Sequence, residues 1–434
     1  MGNSNHMLNN DKLSKYVFAV PFDNERTILY NSVNSAVVLV ENNRINNNFD
    51  KLTLEDNQQL EKMGFLKSAV DIDREIKETY INFKSDILTI LIELTQACNL
   101  QCPYCYQSDW KKTSSISDET IERTLIYIKN CIGTGKYLGL DLGLFGGEAL
   151  LEQDKILTIY EKLKKLCRET NVVLRPGIDT NGVLLKDKFL KNFDALQVNI
   201  SLTPQKDHDA KRPMRDNSGT YKLILDNLRS CRGIFNSGGQ HTLGIRYNTD
   251  HENKDYFADF VNTIAAENIQ CTIKTAYTHE HTYNPYKNLL PLTDYKIWNS
   301  SEVIDVLVNK GFKIRHKPST IRTPCTGYAM HNLKIFSDGY LGMCNGYFPA
   351  QKKVKIETVA EDIDRVVEFF PEKQETPFDN ENCAPCKELV LCGGIRFCKQ
   401  KPCEYSLVDL PTYLRTYVKH MITGNSKYFD FFKY

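Results

Sequence analysis

The sequence predicts an α/β protein: a partial (β/α)6 TIM barrel preceded by a small N-terminal α+β module and followed by a C-terminal cysteine-rich domain. Three observations carry that expectation. Strand-like apolar runs alternate with helix-periodic runs from residue 86 to about residue 278, which implies a parallel sheet with right-handed crossovers, either an open doubly wound sheet or a partial barrel. A separate strand–turn–strand–helix pattern fills residues 15–67. The 14 cysteines are not scattered, because three fall at 98–105 and seven at 325–403.

A chain of 434 residues has room for one large domain and smaller ones beside it. Its 41% hydrophobic and 25% charged residues are ordinary for a globular protein. The longest apolar run, ILTILIEL, is too short to cross a bilayer, and no basic stretch followed by an apolar one opens the chain. A cytoplasmic protein with no membrane role is the expectation. A net charge of +1 without a basic run gives nucleic acid no electrostatic footprint.

The elements follow in order. Residues 1–14, opening on MGNSNHM, read as a tag. In residues 15–67, YVFAVPF and RTILYNSVNSAVVLVE read as strands, and TLEDNQQLEKMGFL as a helix stopped at Gly64. Residues 68–85 read as a polar, partly helical linker. The barrel core is set at 86–310. Its strands are ILTILIELT, YLGLDLGLFGG, VVLRPGIDT, ALQVNISLT, TLGIRYN and IQCTIKTAYT. Its first helix, SDETIERTLIYIKNCI, has Ser117 as cap, acids in the first turn, and Ile121, Leu125, Ile128 and Ile132 on one face. Further helices fit 152–169, 185–194, 219–235 and 254–267. Residues 320–410 form the cysteine-rich section with little helical period, and LPTYLRTYVKHMI in 411–434 a closing helix. Cys131, Cys167, Cys231 and Cys271 lie in helix- or strand-like runs and read as buried small hydrophobes.

The chemistry starts at CNLQCPYCYQ, where Cys98, Cys102 and Cys105 offer three thiolates in a C-x3-C-x2-C loop. A four-iron cluster needs one ligand per iron, so three cysteines leave one iron open to an exogenous chelator. A zinc loop borrowing a distant fourth ligand is the competing reading. The loop lies just past the first barrel strand, on the rim where ligands gather in parallel α/β folds. The spacing, with Tyr104 before the last cysteine, resembles the radical S-adenosylmethionine (SAM) superfamily. That resemblance implies that the methionyl amino and carboxylate groups chelate the free iron and that reduction of the sulfonium yields a 5′-deoxyadenosyl radical. LFGGEALL then resembles the family's GGE motif, which implies that Gly146, Gly147 and Glu148 receive the methionyl ammonium. DTNG (Asp179 to Gly182) ends the third strand as in these enzymes. NISLTPQKDHDAKRP resembles the segment that supplies Ser201 and Arg212 to the SAM carboxylate, with Thr203 and Gln205 in place of the usual residues. Arg246 competes for that carboxylate, and His208 reads as a loop residue.

The tail resembles the seven-cysteine SPASM domain of enzymes that modify peptides and proteins. Cys325 precedes Gly339 and Cys344, then C-x2-C-x5-C gives Cys383, Cys386 and Cys392, followed by Cys398 and Cys403. By the family pattern Cys383, Cys386, Cys392 and Cys403 hold an outer auxiliary cluster, and Cys325, Cys344 and Cys398 an inner one. CGGIRFC is two residues longer than usual between the third and fourth of that run, and a zinc-ribbon-like fold using four of the seven is the competing reading. Together the motifs imply a radical SAM/SPASM peptide maturase with SAM and three iron–sulfur clusters, [4Fe–4S] by family type. A leader-bearing precursor peptide is the implied substrate, and a flavodoxin or ferredoxin the electron donor. Residues 15–67 fit a reduced leader-recognition element; a plain α+β cap is the other reading.

Thioether cross-linking is favoured, because two four-iron clusters take eight cysteines and the tail has seven, which leaves an iron open to a substrate thiolate; carbon–carbon linking and epimerisation are the alternatives, and no catalytic side chain is assigned. Asn345, where an anaerobic sulfatase-maturing enzyme has an aspartate after the second SPASM cysteine, speaks against that activity. A non-catalytic iron–sulfur carrier is the remaining class. The alternative to an open inner-cluster iron is closure by His316 or by one of the four other cysteines. His279 and His281, two apart, read as a polar loop, and KYFDFFKY as packing.

Overall fold

A computed structural model describes residues 12–45, 52–67, 72–81, 85–105, 107, 114–278, 286–314, 326–343, 354–394 and 408–429. Cys325, Cys344, Cys398, Cys403, His279, His281, His316 and Asn345 lie outside them. The chain divides into two units, one from 84–291 and 326–374, the other from 1–83, 292–325 and 375–434.

In the second of these, β1 (Val17–Pro21), β2 (Arg26–Asn31) and β3 (Ala36–Glu41) form an antiparallel sheet in that order. Thr53 and Asp56 make a reciprocal capping box that starts the helix Leu54–Lys62, and Gly64 leaves it at φ +75°. Leu13, Val17, Ala19, Leu29, Val40, Leu60 and Phe65 share one buried core between sheet and helix. The expected linker holds a helix, Ile72–Ile81, whose Ile76 and Tyr80 pack with Tyr16 and Val390. Helices Leu292–Ser300 and Glu302–Asn309 and the closing helix Leu410–Ile422 belong to the same unit.

In the barrel unit, β4 (Ile87–Glu93), β5 (Gly139–Phe145), β6 (Val173–Thr180), β7 (Leu196–Ser201), β8 (His241–Thr249) and β9 (Thr272–Tyr277) are neighbours in chain order, all parallel. These are the six strands read from the sequence. They alternate rather than run continuously apolar. Leu88, Ile90, Ile92, Leu140, Leu142, Leu144, Val198 and Ile200 are buried on one face. The other face lines a cavity of about 560 Å3 with Asp141, Arg175, Asp179, Gln197 and Asn199 among its walls. A sheet helix-covered on one face and polar and hollow on the other is a partial barrel.

The helix Asp118–Gly133 is capped by Ser117 as expected, but Thr124 and Tyr127 take the buried place expected of Leu125, which is half-buried. Two further strands extend the sheet. β10 (Leu333–Ile335) pairs in parallel with β4, and β11 (Leu341–Gly342) lies antiparallel to β10. Both come from the section expected as one cysteine-rich domain over 320–410. That section is divided between the units. Residues 326–374 go with the barrel, where the Tyr127 hydroxyl donates to the His331 carbonyl at 3.1 Å and Tyr137 meets His331 Nδ1 at 2.6 Å. Residues 375–394 go with the other unit, because Phe378 and Val390 pack on Tyr16, Ile76 and Tyr80.

Candidate functional site: a strapped cysteine loop on the barrel rim

The loop of Cys98, Cys102 and Cys105 begins where β4 ends, and the neighbouring strand ends hold it. Gly147 N donates to Thr95 O at 2.8 Å and Glu148 N to Ala97 O at 2.9 Å, which carries the parallel pairing past β5. Glycine is dictated here. A Cβ on Gly146 would lie 2.4 Å from Thr95 O, and one on Gly147 2.3 Å from Ala97 O. The close approach expected of these glycines is thus an approach to the root of the cysteine loop.

Glu148 is 1% exposed and already well occupied. It accepts from Thr180 Oγ1 (2.6 Å), Asn181 N (2.7 Å) and Leu150 N (2.9 Å). Burial pushes its pKa up, against those donors and the charge of Arg212. A carboxylate offers about four acceptor directions, so one remains for an ammonium. The motif DTNG gains a part the sequence did not reveal: Thr180 and Asn181 clip β6 to Glu148. Asn181 Nδ2 also donates to Asn99 Oδ1 at 2.7 Å and lies 4.0 Å from Cys98 Sγ.

A second strap comes from residues 212–217. Gln101 N donates to Pro213 O at 3.1 Å, Gln101 Nε2 to Asn217 Oδ1 at 2.6 Å, and Arg215 Nε to Cys98 O at 3.0 Å. Arg215 was not foreseen, since its role appears only when the loop after the helix Gln205–Lys211 meets the cysteines. Arg212 Nη1 donates to Tyr104 Oη at 3.2 Å. Burial works to lower the Arg212 pKa, but the neighbouring Tyr104, Cys102 and Cys98 charges outweigh it and the net shift is upward. Ser201 sits half-buried at the end of β7 in register with Arg246, whose side chain is exposed. Arg212 is the buried guanidinium of the two, at 9% exposure. His208 is no loop residue; it lies in the helix, wholly buried, accepting from Thr203 N at 3.4 Å through Nδ1.

The donor set fits a thiolate-held cluster with a polar organic ligand. Leu100 N points at Cys98 Sγ at 3.4 Å, a hydrogen bond that stabilises a thiolate. Buried Arg212 Nε, His208 Nε2 and Gln96 Oε1 have no hydrogen-bond partner among the described residues, which a bound anionic and polar group would answer.

The described cysteines of the second set are held differently. Cys383 N donates to Asn380 O and Cys386 N to Cys383 O in successive turns, and Cys392 ends the short helix Leu389–Cys392. Gly394 N then donates to Cys392 Sγ at 3.3 Å, with Gly394 at φ +64° against Pro377. Tyr16 and Tyr80 flank this segment. Burial raises both phenol pKa values, and the Cys386 and Cys392 charges add to the rise. Of the four other cysteines, Cys131, Cys167 and Cys231 are buried on helix faces. Burial pushes the Cys131 and Cys271 thiols up to about 12 and Cys167 to about 11.

Residues 92–263 match the family model of the Radical SAM superfamily. The chain resembles the GTP 3′,8-cyclase of Clostridium perfringens (strain 13 / Type A) at 29% identity over 185 residues, 41% of this chain and 51% of that one. It thus spans about half the length of that relative. It resembles the GTP 3′,8-cyclase of Campylobacter lari at 24% identity over 267 residues, covering 58% of this chain and 74% of the relative. A solved structure described as "Native anSMEcpe with bound AdoMet and Kp18Cys peptide" superposes with a TM-score of 0.56 at 18% identity, over 79% of this chain and 99% of that one. At that identity the likeness is one of fold.

Proposed function

We propose that this chain, radical SAM in its residues 92–263, is an enzyme that modifies a ribosomally made precursor peptide by hydrogen abstraction and cross-linking. The observation that carries the reading is the strapped three-cysteine loop on the barrel rim beside a buried arginine with an unanswered Nε. Cys98, Cys102 and Cys105 would hold the cluster, and Tyr104, Gly146, Gly147, Glu148, Ser201 and Arg212 would seat SAM. Cluster and SAM, when bound, would supply the carbon-centred radical for hydrogen abstraction from the substrate. The chain's own residues bind and aim. Arg212 offers its free Nε to a carboxylate, Glu148 keeps an acceptor for an ammonium, and the polar lumen shields the reacting C–H bond.

A peptide substrate is supported by the SPASM-like cysteines and by the Kp18Cys peptide bound to the structural neighbour. Similarity to the first cyclase relative covers 41% of this chain and about half of that relative. Cys383, Cys386, Cys392 and Cys403 would hold one auxiliary cluster and Cys325, Cys344 and Cys398 the other, with a flavodoxin or ferredoxin as donor. Seven tail cysteines are one short of the eight that two four-iron clusters take, so one iron would be open to a substrate thiolate. Thioether formation therefore ranks above a carbon–carbon link. A precursor with every cysteine changed to serine tests this. Loss of the two-hydrogen mass change is expected, and a retained cross-link overturns the thioether reading.

Residues 15–67 would bind the leader. β3 pairs with β2 on one side, and its outer edge has no strand partner among the described residues. A groove of about 300 Å3 runs beside it, lined by Val38, Val40, Leu52, Gln59, Leu60 and Met63. An extended leader would add as a fourth strand with its apolar side chains in that groove.

A further inference from the structure

Behind Arg212 the barrel holds a charge cage, buried at Lys211 and Asp250 and open to solvent at Glu252, to which the proposed chemistry assigns no part. We propose that Lys211 and Tyr286 are positioning residues for SAM: they set Arg212 and Tyr104 where those side chains hold the cosubstrate. The inference rests on the reading of Arg212 as a SAM contact.

Lys211 is the last residue of the helix Gln205–Lys211, and Arg212 follows as its C-cap. The Lys211 ammonium meets Asp250 Oδ2 at 2.6 Å, Glu252 Oε2 at 3.0 Å and Asp207 Oδ1. Asp207, Asp250 and Glu252 converge as ligands of a cation would, but the ammonium already stands among them. The protein supplies its own cation, and no metal is needed. The cage walls are stiff. Asp250 Oδ1 accepts from Glu252 N and Asn253 N, while Asn253 Nδ2 donates to Asp207 Oδ2 at 3.0 Å. A lysine held by three carboxylates fixes the backbone of the arginine next to it.

A second limb reaches Tyr104. The Tyr286 hydroxyl donates to the same Asp250 Oδ2 at 2.7 Å. Its ring stands edge-on to Tyr104, with centroids 5.7 Å apart and an interplanar angle of 80°. That T-shaped contact is a favoured aromatic geometry. Tyr104 Oη in turn accepts from Arg212. One carboxylate thus anchors both the ammonium behind Arg212 and the phenol behind Tyr104.

The test uses the full chain with its clusters reconstituted anaerobically. SAM affinity is read by titrating the SAM-induced change in the electron paramagnetic resonance signal of the reduced cluster. Tyr286→Phe keeps the ring and removes the bond to Asp250; Lys211→Met empties the cage. SAM dissociation constants should rise about three- to tenfold for Tyr286→Phe and further for Lys211→Met. Iron and sulfide content should match the parent, and the cleavage rate at saturating SAM should stay within about twofold, which is a binding effect without a rate effect. If Lys211→Met fails to fold because it strands buried carboxylates, Tyr286→Phe decides alone. A parent protein that does not bind SAM overturns the reading of Arg212 itself. A parent that binds SAM, with Tyr286→Phe binding equally well, overturns the cage proposal. So does a fall in iron content that parallels the fall in affinity.

Discussion

The loop of Cys98, Cys102 and Cys105 takes its shape from the ends of neighbouring strands in one sheet, whereas Cys383, Cys386 and Cys392 sit on short turns laid over a small apolar core. In the first case Thr95, Ala97, Asn99 and Gln101 are each tied to a residue more than 40 positions away. In the second the backbone bonds are local, Asn380 to Cys383 to Cys386, and the long-range support is the packing of Phe378 and Val390 on Tyr16, Ile76 and Tyr80. A hydrogen-bonded rim holds its form through the sheet. A turn segment holds its form only while its apolar bed is present.

The largest expected effect separates the two. Deleting residues 15–67 removes Tyr16 and Val33 from the bed, and loss of one large buried aromatic costs about 3–5 kcal/mol. The deletion should strip iron from the second cysteine set and leave SAM cleavage by the first intact, as iron and sulfide assays and 5′-deoxyadenosine formation would report. A full iron complement would contradict the comparison. The deletion is for that reason a poor test of leader binding. Gln59→Trp is the better one, because Gln59 is exposed and lines the groove beside β3. It should weaken precursor binding at least about tenfold, roughly the 1.4 kcal/mol of a filled groove, and leave iron content unchanged.

The converse test is Gly147→Ala. Its Cβ would press on the Ala97 carbonyl, and overpacking against backbone costs about 1–3 kcal/mol. The first cluster should be lost or weakly held, with iron at the second set untouched.

The smallest effect is on pH. Burial lowers the pKa of His208, with the Arg212 charge adding to it, and burial also lowers that of His331. Both keep the neutral form to lower pH in the folded chain than in the unfolded one. The unfolded chain therefore takes up protons first as pH falls below about 6.5, and barrel stability drops from there downward. The thermal midpoint should fall between pH 7 and pH 5.5. His208→Asn, which keeps an acceptor for Thr203 N, should flatten that slope. An unchanged slope would remove His208 from the account.

Much of this was legible in the sequence for physical reasons. The alternation of strand-like and helix-periodic runs marked β4 to β9 and their crossovers, and Ser117 and Gly64 marked helix ends as their chemistry requires. The candidate SAM-side residues fell within short motifs, so Cys98 to Cys105 and Gly146 to Glu148 were found together. The contacts of Arg215, of Asn181 with Asn99 and of Lys211 with Asp250 were not, because these partners lie 39 to 117 positions away and no local period encodes such a pairing. Leu125 was misread because a helix face is chosen by its neighbours as well as by its own period. The division of 320–410 was invisible for the same reason: β10 is three residues long, and only its pairing with β4 makes it a strand.

The central claim is that the loop at 98–105 holds a cluster that cleaves SAM, and one comparison tests it most directly. Anaerobically reconstituted protein is given SAM and a strong reductant, beside a variant with Cys98, Cys102 and Cys105 all changed to alanine. 5′-Deoxyadenosine is expected from the first and none from the second, with the second retaining the iron of its other cysteines. Stoichiometric zinc without labile sulfide in the parent, or continued SAM cleavage by the variant, would contradict it.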